Sequence, residues 1–205
     1  MRSTWSILAA AALLAVPAAA SAQSTDLFSQ FQQACVRANA QPERVRTAAK
    51  GWRTVKTPQG FDRAKAWSRP GPGGVYTLTS AVQRMDRGER RTCSISGPAD
   101  RRAEAAAVAW AGGRSISSGP VGAYLLLDAA KSPRPATRDD ARDPNKLGRV
   151  SGVAVSTQGE ITTLGYSTFA ARSSSYYSRD YDGEFRNNIP TSFIKAHEFF
   201  QPPKR

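Results

Sequence analysis

Residues 77–97 read TLTSAVQRMDRGERRTCSISG. Period-two alternation runs through both halves. Tyr76, Leu78 and Val82 point one way and Thr77 and Thr79 the other. In the second half Cys93 and Ile95 share one face, and Thr92, Ser94 and Ser96 share the opposite one. Asp86 and Gly88 between them supply turn chemistry. The stretch therefore predicts a β-hairpin whose second strand turns a cysteine toward the apolar side. It also crowds Arg84, Arg87, Arg90 and Arg91 at one hairpin end.

The cysteine has one partner in the chain, Cys35. Cys35 sits in DLFSQFQQACVRANA, where Leu27, Phe31 and Ala34 recur at helical spacing. The N-terminus explains why a bridge is the expected state. Arg2 precedes an apolar run, Ile7 to Val16, then Pro17 and a small-residue end at Ala20-Ser21-Ala22. That is the layout of a secretory signal peptide over residues 1–22, which implies a periplasmic or secreted protein. The apolar run spans about 15 Å as a helix, half of a bilayer core, and no later segment approaches a spanning length. Disulfides persist outside the cytoplasm, so a Cys35–Cys93 bridge is expected to staple the first helix to a strand.

Residues 23–205 are expected to form one domain. Helices are expected near 25–39, near 42–50 with Pro42 at its first position, and from Asp100 to Gly112. The segment 51–74, GWRTVKTPQGFDRAKAWSRPGPGG, reads as an irregular connection holding a short strand at most. VGAYLLLD, 121–128, is apolar on both faces and reads as a central strand. Residues 129–148 are polar with three prolines and read as a flexible loop. A hairpin is expected around Gln158-Gly159, and a terminal helix near 190–200. The order helix, helix, hairpin, helix, strand, hairpin, helix predicts an α+β fold: an antiparallel sheet of about five strands, helices packed on one face, one disulfide.

Several chemistries find little footing. His197 is the one histidine, which excludes multi-histidine metal sites, and bridged cysteines exclude thiolate zinc. No metal and no cofactor is expected. No G-x-S-x-G elbow accompanies His197. Ser192 and Lys195 fit the S-x-x-K spacing of serine acyl-transferases, but the companion S-D-N and K-T-G elements are missing. RDYDGEF, 179–185, resembles a calcium loop whose closing glutamate position falls on Ile189. Glu104, Asp128, Glu160 and Glu184 are candidate carboxylates for glycoside hydrolysis, with nothing to select a pair.

What the composition favours is anion binding. The chain has 29 Lys and Arg against 16 Asp and Glu, a formal net charge of +13. Arginine forks grip phosphates and carboxylates bidentately. Candidate ligand-binding residues are Arg84, Arg87, Arg90 and Arg91 of the hairpin, and Tyr176, Tyr177, Arg179 and Tyr181 of a Tyr/Ser/Arg-rich segment. The expected partners are anionic lipid, lipopolysaccharide or an acidic protein; nucleic acid is not expected after export. The reading is a non-catalytic binding domain. Its alternative is a small cell-envelope hydrolase using carboxylates or Ser192 and Lys195.

Overall fold

The computed structural model describes residues 27–85, 88–117, 119–137, 139–140 and 146–171. The expected signal peptide, the terminal helix, and Ser192, Lys195 and His197 lie outside these residues.

The chain enters as a short helix, α1 (Leu27–Phe31), which widens into a π turn at Gln32–Val36. The Arg37 N–H donates to the Gln32 carbonyl at 2.9 Å, five residues back. The wide turn lets Ala34, Cys35 and Val36, three consecutive residues, all be buried. Helix α2 (Pro42–Ala48) starts with proline, whose missing N–H costs nothing there. Strands β1 (Arg53–Val55), β2 (Arg63–Gly71), β3 (Gly74–Met85) and β4 (Gly88–Pro98) follow as an antiparallel meander. Helix α3 (Arg101–Ala111) comes next. The Asp100 carboxylate accepts from the N–H groups of Arg102 and Ala103, both at 3.0 Å, and Gly112 at φ 63° ends the helix. The chain closes with β5 (Gly122–Leu127), β6 (Arg134–Pro135), β7 (Val150–Gln158) and β8 (Ile161–Ala171).

The eight strands form one antiparallel sheet in the order β1-β2-β3-β4-β8-β7-β5-β6. This overturns the α+β expectation of about five strands: the described residues are mostly sheet, 46% strand against 24% helix in short pieces. Two causes account for the difference. First, β2 does not show the hydrophobic alternation of a half-buried strand. Its helix-side positions are Arg63, Lys65, Trp67 and Arg69, and its other positions are Ala64, Ala66 and Ser68. At the sheet border the helix layer no longer covers the outer positions, so charge replaces apolar side chains. Second, the loop expected at 129–148 contains β6, a two-residue edge. VGAYLLLD is also not central. Strand β5 is next to the border, and its second apolar face, Leu125 and Leu127, packs with Val150, Ile116 and Ala136.

One face of the sheet carries the helices and the main core. Leu27, Phe31, Val45, Ala103, Ala107 and Ala111 meet Leu78, Ile95, Leu164, Val153, Val155, Tyr124 and Leu126 there. The alanine stripe of α3 lets that helix approach the sheet closely. Phe28, Phe31 and Trp110 close this layer, with ring centroids 6.1–6.3 Å apart. The Cys35–Cys93 disulfide pins the π turn to β4, with the Cα atoms 5.3 Å apart. Tyr166 adds a polar tie. Its hydroxyl donates to Asn39 Oδ1 at 3.0 Å and lies 2.8 Å from Ser151 Oγ. Asn39 stands at φ 50° in the turn between the two N-terminal helices, so this tie fixes a left-handed turn to the sheet. No helix among the described residues is long and apolar enough to cross a membrane.

Two outcomes follow from this core. Replacing both cysteines with Ala, thereby opening a loop of about 59 residues, is expected to cost about 4 kcal/mol. Thermal denaturation should show a fall of roughly 10 °C in Tm; an unchanged Tm would remove the staple from the account. Burial pushes the Tyr166 hydroxyl up to about 12 from its usual 10.0. In that window the unfolded chain has lost the proton that the folded chain keeps, so stability falls as pH rises from 10 to 12. The expected loss is about 2–3 kcal/mol. Chemical denaturation across alkaline pH should show this slope in the native protein and a shallower one in Tyr166→Phe.

A candidate polyanion-binding edge

The hairpin arginines do not form one patch, because they alternate across the sheet. Arg84 and Arg91 fall on the helix-bearing side and Arg90 on the opposite side. Glu89 joins Arg91 to Arg63 of β2 and not to Arg84: its carboxylate accepts from Arg63 Nη2 at 2.8 Å and lies 3.6 Å from Arg91 Nη2. Arg84 is exposed, and its backbone N–H donates to the Asp62 carboxylate. Arg90 hydrogen-bonds to Gln83 through Nη2. Burial lowers its pKa, its Nε is sealed from solvent with no hydrogen-bond partner, and it meets no carboxylate among the described residues. Arg87, Tyr176, Tyr177, Arg179 and Tyr181 lie outside the described residues.

The denser basic surface starts earlier in the chain. Between residues 42 and 71 stand Arg44, Arg46, Lys50, Arg53, Lys56, Arg63, Lys65 and Arg69, against Glu43 and Asp62. Helix α2, β1 and β2 carry most of them, and these elements are neighbours: α2 packs on β3, and β1 pairs with β2 at the sheet border. Along β2, Arg63, Lys65 and Arg69 share one side of the strand. Same-face residues repeat about every 6.6 Å, so Arg63 and Lys65 present charges at roughly that interval, with Arg69 about twice as far on.

The electrostatics of this edge are unbalanced. Glu43 is occupied by Arg46 at 2.7 Å and Asp62 by the Arg84 backbone. Arg44, Lys50, Arg53, Lys56 and Lys65 are exposed and have no ion pair among the described residues. Arg69 is held differently. Its guanidinium lies 4.5 Å from the centroid of the Trp52 ring, which fixes its direction without neutralising it.

At the far end of the sheet the carboxylates Asp128 and Asp140 are paired, while Arg114, Lys131 and Arg134 are exposed without an ion pair among the described residues. Asp128 takes two hydrogen bonds from Arg149, and its carboxyl is held below the usual range mainly by them. Asp140 is pulled down to about 2, first by the Thr137 backbone N–H and then by Lys146. A concavity of about 640 Å³ at the start of α3 is lined by Arg101 and Arg102. The helix-end N–H groups beside it are already taken by Asp100, so no free N–H fork remains there for an anion.

The sequence reading missed the edge because it read 51–74 as an irregular connection. The signal was present in a charge count: eight basic residues stand against two acidic ones within 30 positions. Comparison of the chain with known protein families, with curated proteins and with solved structures finds no match to any of them, so the functional reading rests on this geometry.

Proposed function

We propose that this protein is a non-catalytic binding domain that acts outside the cytoplasm on an anionic envelope component, through the edge formed by α2, β1 and β2. The single observation behind this reading is the set of five exposed cations, Arg44, Lys50, Arg53, Lys56 and Lys65, without a carboxylate in reach among the described residues. An ordinary solvated surface intersperses both signs. A one-sign edge of this density raises the local concentration of polyanions and speeds their capture. The β2 charges suit a ligand with repeated anions, such as the phosphorylated saccharide of lipopolysaccharide or a sheet of anionic lipid heads. Arg63 and Arg69 are pre-oriented, one by Glu89 and one by Trp52, which lowers the entropy lost on binding.

Hydrolysis by carboxylates is less well supported. A general acid needs a raised pKa. Among the described residues the two carboxylates with a shift, Asp128 and Asp140, are both pushed down.

The test is binding of the oxidised protein to lipopolysaccharide and to anionic vesicles across a salt series. Each cation near an anionic surface contributes about 1 kcal/mol, so Arg53→Ala/Lys56→Ala/Lys65→Ala should weaken binding roughly a hundredfold. The variant should also flatten the salt dependence. These side chains are exposed, so its Tm should match the parent. A control variant, Arg114→Ala/Lys131→Ala/Arg134→Ala, should bind as the parent does. Equal losses in both variants would reduce the effect to net charge and overturn the reading.

A further inference from the structure

The centre of the sheet's second face, opposite the helices, is built of small residues, with Arg90 and Phe169 at one end of β4 and β8 and Leu125, Leu127 and Val150 at the β5 side. Across β2, β3, β4, β8, β7 and β5 one row reads Ala66, Thr79, Ser94, Gly165, Ala154 and Ala123. The next reads Ala64, Ala81, Thr92, Ser167, Gly152 and Leu125. A bare face of this kind would be wet. This one is not: Ala81 and Ser94 are each 1% exposed and Ala123 is 0% exposed.

The helices cannot be the cover, because their apolar residues join the core on the other face. Among the described residues, the apolar side chains that pack on the second face are Ile116 and Ala136, at its β5 end. Polar groups on this face are also left waiting. Ser156 is 2% exposed and its Oγ has no hydrogen-bond partner, and the sealed Arg90 Nε at the β4 end has none either. Sealed polar atoms without partners cost about 1–3 kcal/mol each, so a partner layer over this face would be stabilising.

We propose that residues 172–205 of this same chain form that layer. Strand β8 runs in the middle of the sheet and ends at Ala171, opposite Gly88, two residues beyond Arg90's partner Phe169. The chain therefore leaves β8 at one end of this face, with 34 residues to follow. Extended, they could reach about 110 Å, while crossing from β8 to β2 needs only about 15 Å. They carry Tyr176, Tyr177, Tyr181, Phe185, Phe193, Phe199 and Phe200. Large aromatic side chains against a floor of Ala, Ser, Thr and Gly give the large-on-small interdigitation of a packed layer. The first described residue lies on the opposite side of the sheet: Leu27, at the start of α1, is fully buried in the helix-side core. In this arrangement Tyr176, Tyr177 and Tyr181 pack on the sheet and do not contact ligand.

The test uses the full chain. A photo-crosslinking phenylalanine analogue is placed at Tyr177 or at Phe193, and the crosslinks are mapped in the monomer fraction. Intramolecular links to peptides of β3, β4, β7 and β8 are expected. Links to the helices, links at dimer mass, or no links to these strands would overturn the proposal. Independently, Ser167→Cys puts a near-isosteric thiol on the covered face. Its labelling should be at least a hundredfold slower than that of a free thiol. Labelling should speed at least tenfold when Tyr176, Tyr177, Phe185 and Phe193 are changed to Ser. An unchanged rate would overturn the proposal, as would protection removed only by solvent extraction, since that would mean a bound lipid covers the face.

Discussion

The pairing of β4 with β8 is the seam on which the rest of the molecule depends. It runs for eleven residue pairs, from Gly88–Ala171 to Pro98–Ile161. On one side stands the meander β1–β4, and on the other β8, β7, β5 and β6. Without this register the protein would be two small sheets, each with an open edge of unpaired backbone. The seam also sets the core, because it aligns Leu78, Ile95, Leu164 and Val155 in one row beneath the helices. The disulfide attaches to the seam itself: Cys93 lies opposite Tyr166, the residue that ties the Asn39 turn. Two devices, one covalent and one hydrogen-bonded, thus hold the N-terminal helices to the same strand pair.

This arrangement assigns different tasks to the two ends of the sheet. The centre is paired on both sides and sealed. The border formed by β1 and β2 is outside the helix cover, so its side chains are free to be charged. A row of cations there costs little in stability, because Arg53, Lys56, Arg63 and Lys65 are exposed to solvent. The same row placed over the core would carry a desolvation cost, as Arg90 does on the second face. The fold thereby concentrates charge where it can meet a partner.

Elements with strong local signals were legible in the sequence. The hairpins show alternation and turn residues, and α3 shows Asp100, an alanine stripe and Gly112. The disulfide followed from two cysteines and an export-like leader. What could not be read was long-range or border-specific. Nothing local in VSGVAVST or ITTLGYST says that β8 lies against β4 rather than at an edge. Strand β2 hid behind its charges and prolines, and β5 looked central because Ile116 and Ala136 cover its second face. The hairpin arginines were recognised, but strict alternation already implied that Arg90 would face away from Arg91. Treating the four as one patch neglected that period.

The central claim is that anions are held at the α2–β1–β2 edge and not by the protein's charge at large. Backbone amide shifts of the isotopically labelled protein, followed during titration with a short-chain anionic lipid, test it most directly. Saturable shifts are expected, confined to residues 44–69 and the adjoining Arg84 and Arg91, with the β5–β6 border silent. Shifts spread evenly over basic residues on every surface would contradict it.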